Sequence, residues 1–84
     1  MPQEELIGTI AQYNDTNGLA YITLIEEVSI GEKIHIKGGD DNFTQEVLAL
    51  QVSGSDVQVA YKGDLVAIRM VLPAKASDKV FAYV

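Results

Sequence analysis

Few residues in this chain could do chemistry. The one histidine, His35, stands between Lys33 and Lys37, and the acidic residues include the adjacent pairs Glu26-Glu27 and Asp40-Asp41. A catalytic or metal-binding histidine needs carboxylate or imidazole partners converging on it. The sequence neighbours of His35 are cations, which disfavour both a metal and a proton on the ring. His35 therefore reads as a solvated strand residue. Adjacent residues of an extended segment point to opposite faces, so Glu26-Glu27 cannot work together as acid and base. Asp40-Asp41 follows two glycines, where aspartate is favoured by the hydrogen bonds it makes to its own turn. The glycine and distal glutamate of an EF-hand loop are missing after Asp41-Asn42. The chain has no cysteine, which excludes a disulfide framework, a thiolate metal site and a nucleophilic thiol. It also has no GxxxxGK[ST] loop to cradle a phosphate, so no nucleotide should bind. Neither catalytic residues nor a cofactor or metal is expected, and the chemistry left is binding.

Five residues are candidates for contact with a partner: Lys33, His35, Lys37, Phe43 and Tyr61. The basic residues at 33, 35 and 37 alternate, so on a strand they line one face and could hold an anion or an acidic partner segment. The competing reading pairs them with acids such as Glu46 on the next strand, at about 0.2–1 kcal/mol per pair. Tyr61 lies beside the Lys62-Gly63 turn and Phe43 at the start of a strand, where rings can stay partly exposed. Exposed rings anchor protein interfaces or stack on unpaired bases, and rings in such places also cap the ends of small barrels. With 12 acidic against 6 basic residues the net charge is −6, a field that repels a phosphate backbone and also keeps a small domain soluble.

These residues must be positioned by strands. Eighty-four residues make one domain, since each half alone would fall near the ~40 residues below which chains need extra staples. A hydrophobic content of 48% supports a folded core. Apolar runs at 6–13, 19–25, 33–37, 43–52, 65–72 and 79–84 are separated by turn signals, with 57–61 as a crossing segment. Gly8 marks a tight corner in the first run. Asn17-Gly18 marks a reversal in which Gly18 has positive φ. In the long 43–52 run Val47 and Ala49 are apolar as well as Leu48 and Leu50, which calls for a bulge near Val47 or a second covered face. Ile34, Ile36, Leu48, Leu50, Val66 and Ile68 should point inward. No 3.6-residue periodicity competes, and closure would hide the sheet edges. The expected fold is all-β: a small closed or nearly closed antiparallel barrel of about six strands, spanning residues 1–84 as one domain.

Ile7-Gly8, Leu19-Ala20-Tyr21-Ile22, Ile30-Gly31-Glu32-Lys33-Ile34 and Lys62-Gly63-Asp64-Leu65-Val66-Ala67-Ile68 follow one another in an order that resembles domain 2 of the translational GTPases of the elongation factor Tu type. Through Ile36-Lys37-Gly38 and the run from Asp41 to Val47, the chain more closely resembles the small stand-alone translation-factor-like proteins and the C-terminal barrel of collagenase-like peptidases. The resemblance covers nearly the whole chain and implies a six-stranded antiparallel barrel. In the GTPases that barrel helps seat the aminoacyl end of tRNA, but no residue here matches that pocket. The positions that carry over, Gly31 and Gly63, are turn formers.

Residues and resemblance together point to a non-catalytic interaction module, a translation-factor-like accessory barrel acting in trans on a larger protein. The alternative is an RNA- or tRNA-binding module of the translation machinery. The start of the chain has no apolar signal region and no run approaches a membrane span, so a cytoplasmic setting without membrane contact is expected. The surface should discriminate between the functions: an apolar patch rimmed by acids fits a protein partner, and a continuous basic groove beside an aromatic ring fits RNA.

Overall fold

β1 (Glu4–Asn14) buries Ile7 and Ile10 and returns through residues 15–18 into β2 (Leu19–Leu24), which buries Ala20, Ile22 and Leu24 at alternate positions. The loop is four residues long rather than a two-residue turn. Asn14 Oδ1 accepts the Thr16 N–H, Asn17 Oδ1 accepts the Leu19 N–H, and only Gly18 takes positive φ, +73°. The computed structural model describes residues 3–39 and 41–83, so Asp40 and the two termini lie outside the described residues. Its other strands are β3 (Val28–Ser29), β4 (Lys33–Lys37), β5 (Asn42–Glu46), β6 (Leu50–Val52), β7 (Ser55–Val57), β8 (Val59–Ala60), β9 (Leu65–Arg69) and β10 (Lys79–Tyr83). No helix occurs among the described residues, and none is long and apolar enough to cross a membrane.

Eight strands form one antiparallel sheet in the order β5-β4-β10-β1-β2-β9-β6-β7, while β3 and β8 pair separately. The all-β, antiparallel reading holds, but neither sheet is closed into a barrel by its ladders, so the closed or nearly closed barrel expected from the sequence is not confirmed. The break lies in the 43–52 run, which is two strands and not one. The Val47 N–H donates to Glu32 O at 2.8 Å and Val47 O accepts the Gly31 N–H at 2.9 Å. With its backbone committed to the turn before β4, Val47 takes no part in pairing with β9. Pairing with β9 begins only at Leu50. The break also changes the inward phase: Gln45 and Val47 are buried, Leu48 is 52% exposed, and Leu50 is buried again. Leu48 is thus a surface residue, contrary to expectation, whereas Ile34, Ile36, Leu50, Val66 and Ile68 are in the core.

A side chain spans the interruption. Gln45, 6% exposed, donates from Nε2 to Arg69 O at 2.9 Å and accepts the Val71 N–H on Oε1 at 2.9 Å. One amide thus satisfies the carbonyl and the N–H that a neighbouring strand would otherwise pair. At Gly8 the backbones approach closely: a Cβ there would lie 2.7 Å from both Ile22 Cγ2 and Thr23 O. The β1–β10 register slips next to it, between Leu6 and Gly8, and the corner read from the sequence is this bulge.

Candidate functional site

Strand alternation places Lys33, His35 and Lys37 on the outer face of β4, because Ile34 and Ile36 are fully buried between them. On the neighbouring β10 the same alternation turns Lys79, Phe81 and Tyr83 outward, with Val80 and Ala82 in the core. The register sets His35 opposite Phe81 and Lys37 opposite Lys79. Lys33 Nζ lies 5.8 Å from the Tyr83 ring centroid and Lys37 Nζ 5.0 Å from that of Phe81. The His35 ring stacks on Tyr83 with centroids 6.3 Å apart and planes 2° from parallel.

Glu4, at the start of β1, reaches across β10 to this row. Its Oε1 is 2.8 Å from Lys37 Nζ and its Oε2 meets His35 Nδ1. The other ring nitrogen, Nε2, meets Asn42 Oδ1. His35 is therefore not the solvated residue expected: its side chain is 14% exposed and both ring nitrogens are engaged. The bonds from Lys37 first, and from His35 next, hold the Glu4 carboxyl below the ordinary glutamate range. Glu46 does sit opposite Lys33 in the ladder, but the two ion pairs found among the described residues both go to Glu4. Sequence reasoning missed Glu4, Phe81 and Tyr83, since no local signal ties them to a strand at residue 33.

The two aromatic candidates lie elsewhere and apart. Phe43 is the ladder partner of Ile36 and packs half-buried against the core, on the opposite face from the lysine row. Tyr61 is 59% exposed. Its turn is held by the Tyr61 N–H on Asp64 Oδ2 at 2.9 Å and by Gly63 with φ of +90°. Bonds between Leu24 and the Gly63-Asp64 backbone, each 3.0 Å, bring Ile25 to the same end of the sheet. Ile25 and Leu65 are 45% and 54% exposed there. The exposed Glu26 and Glu27 continue from Ile25, and Asp64 precedes Leu65.

Asp41 and Asp78 form a third feature. Asp78, 3% exposed, accepts the Lys75 N–H at 3.0 Å and lies so close beneath Gly38 that a Cβ there would overlap its carboxyl. Asp41 Oδ2 is buried with no hydrogen-bond partner among the described residues. Burial, and next the neighbouring Asp41 carboxyl, raise Asp78 above the ordinary aspartate value. No group of three or more His, Cys, Asp or Glu side chains able to hold a metal occurs among the described residues.

No family model matches the chain and no curated protein matches it in sequence. Its fold is shared by two crystal structures of the C-terminal domain of a Geobacillus thermoleovorans protein named for the U32 peptidases. One, with selenomethionine, has a TM-score of 0.86 at 19% identity, covering 90% of this chain and 96% of that one. The other has a TM-score of 0.87 at 18% identity, covering 93% and 91%. At such identities the likeness is one of fold. It agrees with the resemblance to the C-terminal domain of collagenase-like peptidases, and it lends nothing to the translation-factor resemblance.

Proposed function

We propose that the chain is a non-catalytic, cytoplasmic interaction module that acts in trans on a larger protein and docks it through the Tyr61 end. The observation that carries this reading is the exposure of Ile25, Tyr61 and Leu65 on two segments that the Leu24 bonds to Gly63 and Asp64 hold side by side, with Glu26, Glu27 and Asp64 next to them in sequence. Exposed aromatic and aliphatic side chains grouped within a polar rim are what protein interfaces use as anchors. The acidic rim calls for a partner whose own apolar surface is bordered by lysine or arginine. The shared fold supports the reading, since in the U32-named protein this fold is a C-terminal domain of a larger chain. An RNA- or tRNA-binding role is opposed by the net charge of −6, which repels a phosphate backbone. The test is affinity capture from a lysate of the source organism with the wild-type chain and with a Tyr61→Ser, Leu65→Ser double variant. A protein retained by the first and lost from the second is expected. Equal retention by both, or sub-micromolar binding of tRNA, would overturn the reading.

A further inference from the structure

We propose that the outer face of β4 and β10 binds an extended acidic segment of a protein partner, and that the Glu4 carboxylate is a built-in placeholder for it. Three of the chain's 6 basic residues, Lys33, Lys37 and Lys79, lie on this one face of a molecule with net charge −6. The charge complement of such a face is acidic. The constellation already holds a carboxylate, since Glu4 is gripped by Lys37 on one oxygen and His35 on the other. Lys33 makes no ion pair among the described residues, and its ammonium lies over the Tyr83 ring.

Spacing argues for an extended occupant. Lys33, His35 and Lys37 recur at every second residue, about 7 Å apart on a strand. A peptide in the same conformation, with carboxylates at alternate positions, would match that repeat. RNA fits less well. Stacking needs free aromatic faces, whereas Tyr83 carries the His35 ring and the Lys33 ammonium and Phe81 carries the Lys37 ammonium. A carboxylate needs only to exchange with Glu4, which lies at the terminal pair of the β1–β10 ladder, opposite Tyr83.

The inference rests on the chain being an interaction module, but it uses other residues than the Tyr61 end. The probe is a fluorescein-labelled dodecapeptide of alternating Thr and Glu, followed by anisotropy. A peptide of equal composition with its glutamates in one block, and a single-stranded RNA of equal length, serve as competitors. Glu4→Gln should bind the alternating peptide about fivefold tighter than wild type, the equivalent of one exposed ion pair released. Lys33→Ala and Lys79→Ala should weaken binding, and added salt should do the same. A folded Glu4→Gln variant that binds no tighter than wild type would overturn the proposal. So would equal competition by the block peptide, or tighter binding of the RNA. If Glu4→Gln does not fold, Lys33→Ala in the wild-type background decides: weaker binding supports the proposal and unchanged binding refutes it. Tyr61→Ser should leave peptide binding unchanged, so failure of this site and failure of the Tyr61 end read out separately.

Discussion

Gln45→Leu should destabilise the domain more than any surface change, because the amide replaces a missing strand contact. Its two bonds to the 69–71 backbone are both 2.9 Å and part-buried. Leucine would fill similar volume while leaving the Arg69 carbonyl and the Val71 N–H without partners. Each such orphan costs about 1–3 kcal/mol, so roughly 2–6 kcal/mol is at stake, less whatever water restores. For a domain this small, whose total stability is on the order of 4–13 kcal/mol, that means a melting temperature lower by at least ~10 °C. Thermal and urea denaturation followed by circular dichroism would measure the loss. Hydrogen exchange at the Val71 amide should accelerate beyond the change in global stability. Gln45→Glu is the informative companion: it keeps the acceptor for the Val71 N–H and turns the donor to Arg69 O into a second acceptor. At neutral pH it should lose at least as much as Gln45→Leu, because a buried carboxylate then faces the Arg69 carbonyl, and it should recover as the pH falls and the protonated carboxyl donates to that oxygen. A Gln45→Leu protein that melts with the wild type, with no local change in exchange, would show that the amide does not hold the interruption together.

Ile36→Ala and Ile68→Ala, at side chains fully out of solvent, should each cost roughly 2–5 kcal/mol in the same denaturation assay. Gly8→Ala should cost about 1–3 kcal/mol through overpacking, since one of the atoms its Cβ would meet at 2.7 Å is the Thr23 carbonyl oxygen, which cannot swing aside. The two shifted carboxyls give opposite pH dependences. Asp78 is raised in the folded chain, so its contribution is fully present below the unfolded aspartate value and is lost as pH rises through the folded value. Asp78→Asn should therefore melt higher than wild type at neutral pH, with the difference shrinking in acid. Glu4 is lowered, so its contribution is present above the ordinary glutamate value and is lost as pH falls through the depressed one, and Glu4→Gln should flatten that acid limb.

How much of this was legible in the sequence depended on how local its cause was. The turns at Gly18, Gly31 and Gly63 could be read because glycine alone takes their positive φ without strain. The inward face of β4 could be read because Lys33, His35 and Lys37 alternate with Ile34 and Ile36, and that of β9 because the β-branched Val66 and Ile68 recur at every second residue. The 43–52 run could not, since Val47, Leu48, Ala49 and Leu50 are all apolar and offer no phase. Backbone bonds to Gly31 and Glu32 decided which of them turned inward. For the candidate site, the alternating Lys33-His35-Lys37 row was legible and its surroundings were not. Glu4, Phe81 and Tyr83 arrive there through the β1–β10 and β10–β4 registers, set between segments far apart in sequence. The expectation of a solvated His35 failed for that reason: its charged neighbours in sequence are not its neighbours in space.

β10 lies between β4 and β1 in the sheet order, and this has a consequence for biosynthesis. Before residues 79–83 are available, β5 and β4 can form one hairpin and β1, β2, β9, β6 and β7 another block, with no ladder between the two. The edges of β1 and β4 that later receive β10 then stand open, one of them displaying Ile34 and Ile36. A chain growing on the ribosome must carry both edges unpaired until its tenth strand has left the exit tunnel. Pairing segments so distant is slow, and unpaired edges of half-made sheets invite aggregation in the interval. Glu4, Lys33 and Lys37 flank those edges, and charges so placed oppose edge-to-edge pairing with another nascent chain while the gap waits to be filled.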